Sequence, residues 1–526
     1  MPLAKFTVFV LLITSIFSCS DKKTTIDMVV FGNAIYQGSD HAPIEGVIGI
    51  DKGRIIFVGD KLPKHFIAKE VIDAKNMIVA PGFIDPHTHA CSDFSDDTVP
   101  NVNANYLTQG VSTVFCNVDG GGRIEVNSTL SHYEAQGIGT NVALYIGHGS
   151  VRKAVMGRSN RAPTDGELAA MKNIVDEAMQ SGALGLSTGL YYVPGNYAAT
   201  SEVVELAKVV ASYGGVYDSH IRDESTYSVG LVEAIKEVIN IGKQAKLPVH
   251  VAHIKALGVD VWGKSDQVIE LIKNARSNGV DITADQYPWR ASGTSVAGSL
   301  MPRSILAGDK SAYISRVKSD KEWPKLKAAM LENLRRRGGA ESLTITDLTL
   351  PELRGKTLAE IAKNWKMSPV DAARKIVISG NARVASFNMS EKDVKAFMMQ
   401  PWVMTSSDGS PGHPRKYASF PKKYYEFVLQ NPWLNTKEFI YKSSTLTAKT
   451  FGLSDRGELK ANYVADIVIF DPKSFMPIAN YVYPEKLSKG VEWMIINGQL
   501  AISNGQVTGV LAGKSIRQGK LVEVVK

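Results

Sequence analysis

The stretch Asp85-Pro86-His87-Thr88-His89 sets two imidazoles one residue apart. Strand side chains alternate in direction, so positions 87 and 89 share a face and can both address one metal ion. Just upstream, Met77-Ile78-Val79-Ala80-Pro81-Gly82-Phe83-Ile84 is apolar without alternation, which is how a parallel strand covered on both sides reads. The histidines then stand at the carboxyl end of that strand, where α/β barrels build their active sites. A pair of hydrogen-bonded structural histidines would carry the same motif. The metal reading therefore depends on ligands delivered by other strands.

Such ligands recur at predicted strand tips. Cys116 ends Ser112–Cys116, His220 ends Val216–His220, and His250 and His253 lie in Val249–Ile254. Imidazole and thiolate are natural zinc donors, and this company favours a ligand role for Cys116 over that of a small buried hydrophobe. His250 and His253 are an odd number apart, so only one can face inward; His253 is chosen because Lys255 shares its face. A further tip, Met404-Thr405-Ser406-Ser407-Asp408-Gly409, carries a carboxylate. Beside a zinc-activated water, Asp408 can take a proton and later deliver it to a leaving amine, although an Asp before Gly also caps loops.

These side chains need a scaffold. From Val79 onward apolar strands alternate with helical segments: Ser112–Cys116, Val142–Ile146, Ala183–Ser187, Val216–His220, Val249–Ile254, Val280–Asp285 and Trp402–Asp408 follow the first, making eight. Amphipathic stretches such as Thr164–Gln180 and Val229–Ala245 lie between them. The expected fold class is α/β, a TIM-like (β/α)8 metal-dependent hydrolase barrel over residues 79–455. Between strands seven and eight the gap is too long for a crossover and has helical material of its own, so about 290–400 reads as an insertion near the active face. Short β-rich runs at both ends, 19–78 and 456–526, are expected to join in one small sandwich, with Asp51-Lys52-Gly53 as a hairpin turn.

Composition narrows the function classes. The 526-residue chain is 44% hydrophobic and 21% charged, a folded globular balance. Its net charge of +8 is scattered without basic blocks, which argues against a nucleic-acid partner. Residues 1–18 join Lys5 to an apolar run ending in small residues, too short to span a bilayer and shaped like a secretory signal. Ile16-Phe17-Ser18-Cys19 resembles a bacterial lipobox, so the expectation is an exported protein, in the periplasm or at the cell surface, held to the membrane only by a lipid on Cys19. Cys91 and Cys116 alone remain in the body, too few for a multi-disulfide framework.

His-x-His on strand one, His on strands five and six and Asp on strand eight resemble the amidohydrolase superfamily. Gly182–Leu190, Ser219-His220-Ile221-Arg222-Asp223-Glu224, Ala252-His253-Ile254-Lys255, Asp285-Gln286-Tyr287-Pro288 and Ser407-Asp408-Gly409 are similar to the N-acyl-D-amino-acid deacylases, or D-aminoacylases. The resemblance spans about Asp27 to Gly505 and implies hydrolysis of a small N-acyl amino acid. It also implies a tight zinc on Cys116, His220 and His253, a weaker second site at His87 and His89, and Asp408 as general base and acid. Lys255, Tyr287, Tyr192 and Arg415 stand where the family holds the substrate carboxylate. Behind His-x-His the chain reads Ala90-Cys91-Ser92-Asp93, where the family pattern has acids at once. Rival readings are a dipeptidase or a cyclic-amide hydrolase of the dihydroorotase or hydantoinase kind, and a non-catalytic ligand-binding lipoprotein. His148, at another strand tip, is given no catalytic role.

Overall fold

The computed structural model describes residues 23–39, 41–95, 101–306 and 310–518; the leader and Cys19 lie outside them. Among the described residues no helix is long and apolar enough to cross a membrane.

The parallel strands are β1 (Phe83–Asp85), β2 (Val111–Cys116), β3 (Asn141–Leu144), β4 (Gly185–Gly189), β5 (Val216–His220), β6 (Val249–Val251), β7 (Ile282–Gln286) and β8 (Val403–Thr405). Every residue of these strands is buried. Both faces being covered explains the lack of alternation in apolar strands such as β1 and β2, while β4, β5 and β7 bury polar side chains as well. β1–β2–β3 form one parallel sheet, while β4 to β8 form another that begins with the pair Ile146–Gly147, just past the end of β3. Backbone hydrogen bonds link the two sheets at both margins. Leu184 N donates to Leu144 O at 2.8 Å on one side, while Asp408 N donates to His87 O at 2.9 Å and His89 N to Gly409 O at 3.1 Å on the other.

The long apolar run around Val79 serves two sheets instead of one. Ile78–Pro81 pairs antiparallel with Ile467–Phe470, and only Phe83–Asp85 joins the parallel set. Gly82 makes the change of sheet possible, because a Cβ there would fall 2.6 Å from the side chain of Ser112. Strands from both chain ends join in one nine-stranded sheet. Its hairpin at Lys52-Gly53 takes positive φ at both residues, the geometry that two-residue turns with this twist require.

Helices pack through apolar stripes. Asp165–Gln180 is opened by Thr164, whose side chain accepts from Glu167 N while Glu167 returns a bond to Thr164 N, and it buries Met171, Val175, Ala178 and Met179. Each of the larger ones, Met171, Val175 and Met179, is worth about 1.5–3 kcal/mol when removed from water. Between β7 and β8 the chain builds an antiparallel sheet, Ala291–Ser295, Arg383–Phe387 and Leu343–Ile345, with helices Trp323–Arg336, Leu358–Asn364 and Pro369–Ile378. This lobe has its own apolar cluster, including Leu300, Met330, Leu343, Ile361 and Val377.

Candidate metal and catalytic centre

At the carboxyl ends of β1, β2, β5 and β6 four imidazoles converge on one carboxylate. Asp119 Oδ1 lies 3.4 Å from His87 Nε2, 3.2 Å from His220 Nδ1 and 3.4 Å from His253 Nε2, and its Oδ2 lies 3.5 Å from His89 Nε2. His87, His89 and Asp119 form one group able to hold a metal ion, and Asp119, His220 and His253 form another, so the carboxylate is common to both. His87 is buried with neither ring nitrogen hydrogen-bonded, as is Nε2 of His220. Buried imidazole nitrogens left without partners are costly in a metal-free fold and are what a cation would satisfy. The donor set, imidazole nitrogen with a shared carboxylate, suits zinc.

Cys116 is not among these ligands. Its sulfur is joined to Cys91 in a disulfide, with Cα atoms 6.0 Å apart, and a disulfide sulfur has no thiolate to offer. The sequence expectation is a Cys116–His220–His253 site; in the structure Cys116 is in the disulfide, and the group able to hold a metal ion with His220 and His253 is completed by Asp119 instead. The cause lies in how the chain leaves β2. Asn117, Asp119 and Gly120 take φ values of 60°, 56° and 70°, and this left-handed turn carries Asp119, three residues beyond the cysteine, over the cluster. Asn and Asp adopt that region more readily than other side chains do. Asn117-Val118-Asp119-Gly120 was the available signal: a carboxylate in a turn at the tip of a strand. The disulfide ties the segment after His-x-His to the end of β2.

His253 joins the cluster and His250 does not. Strand alternation is not the reason, because β6 ends at Val251 and His253 sits beyond it at φ 35°. His250 instead bonds Thr283 Oγ1 at 2.8 Å and Asp285 Oδ2 at 2.9 Å. Asp285 also accepts from His253 N at 3.0 Å and from the Ser406 hydroxyl, so it steadies β6, β7 and β8 beneath the site.

Asp408 lies 3.5 Å from His89 Nε2 and 2.8 Å from Arg415 Nη1. Burial alone would raise its carboxyl, but the charges of Arg415 and His253 outweigh this and hold it far below the usual carboxylate range. It is ionised. Lys255 Nζ lies 2.5 Å from Glu224 Oε1 and 2.8 Å from His253 Nδ1. Tyr287 is flanked by two cations, with Lys255 Nζ 5.6 Å and Arg415 Cζ 4.8 Å from its ring centroid. Burial pushes its phenol well above the ordinary value, so the unpartnered hydroxyl remains a donor. Tyr192, the more exposed residue, packs its ring 4.6 Å from that of His220. All four substrate-binding candidates line one cavity of about 460 Å³, which also exposes Asp119, Glu224, Arg337, Arg383 and Ser410. The sequence reading did not single out these last five. His148 is outside the cavity, its Nε2 2.9 Å from Glu202, which also pairs with Arg152.

Residues 70–287 match the amidohydrolase family. The chain is 30% identical over 520 residues to a D-aminoacylase of Alcaligenes xylosoxydans xylosoxydans, covering 93% of this chain and 97% of that protein. Its fold superposes with a TM-score of 0.79 on the N-acyl-D-glutamate deacylase of Bordetella bronchiseptica, crystallised with zinc and a phosphonate mimic of the tetrahedral intermediate, at 28% identity over 94% of this chain and 100% of that one. A D-hydantoinase shares the fold alone, at a TM-score of 0.56 and 14% identity over 94% of this chain and 99% of that one. A likeness that runs nearly end to end with a D-aminoacylase, in sequence as in backbone, means that this chain belongs to the amidohydrolase family and to its D-aminoacylase branch.

Proposed function

We propose that the protein is a zinc-dependent hydrolase that cleaves the amide bond of N-acyl-D-amino acids, giving a D-amino acid and a carboxylate. The observation that carries the reading is the convergence of His87, His89, His220 and His253 on Asp119, with Asp408 beside them and cations around Tyr287. One zinc would sit on Asp119, His220 and His253, and a second could share Asp119 with His87 and His89. When bound, zinc acts as a Lewis acid on the acyl carbonyl and brings the pKa of water toward neutrality. Asp408 accepts the proton of the attacking water and returns it to the departing nitrogen. Lys255, Tyr287 and Arg415 hold the α-carboxylate, and Tyr192 closes the side by His220. In the substrate-free protein Arg415 is occupied by Asp408; a substrate carboxylate competes for that guanidinium and frees Asp408 to act as a base in the complex.

The finer architecture belongs to the same proposal: eight parallel strands closed into a (β/α)8 barrel, a terminal β-sandwich and an inserted lobe. The margin bonds between Asp408 and His87 and between Leu184 and Leu144 support closure. Export with a lipid at Cys19 is likewise proposed, and a Cys91–Cys116 disulfide is the bonding an oxidising compartment allows.

The test is turnover by the zinc-loaded protein of N-acetyl-D-methionine, its L-enantiomer, a dipeptide and a hydantoin, with a chelated control. Zinc-dependent release of D-methionine alone is expected. Turnover of only the dipeptide or only the hydantoin would overturn the reading.

A further inference from the structure

The cavity holds more positive charge than one substrate carboxylate needs. Lys255, Arg337, Arg383 and Arg415 all line it, against Asp119, Glu224 and Asp408. Each acid is committed: Asp119 to the imidazoles, Glu224 to Lys255 and Asp408 to Arg415. Arg337 and Arg383 are left without one. Among the described residues neither guanidinium has a carboxylate within 4.0 Å. Arg383 donates to Pro411 O at 3.2 Å and to Ser410 Oγ at 3.1 Å, and Arg337 to Ser299 O at 3.0 Å and Ser386 Oγ at 3.2 Å.

The placement of Arg383 is specific. Ser410 Oγ receives Nη2 of Arg383 and Nη2 of Arg415, each at 3.1 Å, so two guanidiniums meet across one hydroxyl, and of the two only Arg415 is ion-paired, with Asp408. Burial and the charge of Arg415 push Arg383 below its ordinary value, against the carboxylates of Asp408 and Asp347, which draw it up. Arg415 also lies against the Tyr287 ring, which Lys255 approaches as well, and Arg383 shares Ser410 with it. Nη2 of Arg383 therefore lies one hydroxyl away from Nη2 of Arg415, the group that holds the α-carboxylate in the proposed reading.

We propose that Arg383, with Ser410, forms a second anion subsite that receives a side-chain carboxylate, making acidic N-acyl-D-amino acids, N-acyl-D-glutamate or N-acyl-D-aspartate, the preferred substrate class. The proposal rests on the deacylase reading and deepens it. A guanidinium is suited to the task because its planar fork matches a carboxylate with two parallel hydrogen bonds. The arginine belongs to the inserted lobe, as the first residue of strand Arg383–Phe387, so selectivity and chemistry come from separate parts of the chain.

The test compares kcat/KM of the zinc-loaded, full-length enzyme for N-acetyl-D-glutamate and for N-acetyl-D-glutamine, which has the same shape without the charge. Wild type is expected to favour the glutamate by at least about tenfold, the scale of one hydrogen-bonded charge pair. In Arg383→Met the glutamate-to-glutamine ratio falls toward one, and Arg383→Lys restores part of it; the ratio is independent of how much of each variant folds. Arg337→Met, on another wall, should leave the ratio nearer that of wild type. A wild-type ratio near or below one, or a ratio that survives Arg383→Met, overturns the subsite while leaving deacylation in place. Failure to turn over any N-acyl-D-amino acid, N-acetyl-D-methionine included, removes the underlying activity and the subsite with it.

Discussion

Replacing both Cys91 and Cys116 by alanine separates two roles that a cysteine at the tip of β2 could play. The disulfide closes a loop of 25 residues, and fixing a loop of that length in the unfolded chain corresponds to about 3.5 kcal/mol. The double variant should therefore unfold at lower denaturant with little change of slope, and wild type treated with a reductant should move the same way. Zinc content measured by mass spectrometry should be unchanged, because the ligands of the proposed site are carboxylate and imidazole. Hydrolysis should stay within a few-fold of wild type under conditions where both are folded. A thiolate ligand gives the opposite pattern, with zinc lost and stability little altered in the metal-free protein. That result, or a free thiol at Cys116 in oxidised wild-type protein, would refute the assignment of Asp119.

Further expectations follow from the same geometry. Asp119→Asn leaves the shape but removes the charge shared by both candidate metal groups, so zinc affinity should fall by more than the 10–100-fold typical of outer-shell changes, read by competition with a chelator. Asp408→Asn should retain zinc and lose about 10²–10⁴-fold in kcat, because it removes the proton acceptor alone; retention of full kcat would assign the proton transfer elsewhere. In the metal-free protein, burial and Lys255 depress His253, but the Asp408, Glu224 and Asp119 carboxylates outweigh them and raise it to about 10. The imidazole is then protonated at neutral pH and must lose its proton to bind metal. Zinc affinity should accordingly climb by about tenfold per pH unit above neutrality and level off near that value, and an affinity flat with pH would contradict it.

Much of this centre could be read along the chain because its ligands sit where a strand pattern stops. His87 and His89 follow an apolar run whose burial on both faces removes alternation, and His220 and Asp408 stand at the ends of the strand patterns that begin at Val216 and Trp402. Two things were hidden. Cys116 and Asp119 are both plausible donors three residues apart, and choosing between them requires knowing that the backbone turns left-handed after β2 and that Cys91 is within reach of the sulfur. Arg337 and Arg383 are also illegible as binding residues, because they come from a lobe whose placement over the cavity depends on tertiary packing rather than on local period. The same limit explains the run at Val79, where hydrophobicity is continuous but the chain changes sheets at Gly82.

The amide of Asp408 is bonded to the carbonyl of His87, and the amide of His89 to the carbonyl of Gly409. Residues more than three hundred apart in sequence thus share a rigid peptide frame, reinforced by Asp85 Oδ1, which accepts from both His87 N and Ser407 N, and this frame registers the proton carrier against two imidazoles. Side chains elsewhere around the cavity can be exchanged, as in a redesign of which acids are accepted, without disturbing that alignment. An edit to the backbone at this junction, such as proline at His89 or Asp408, would shift the acid–base group relative to its neighbours.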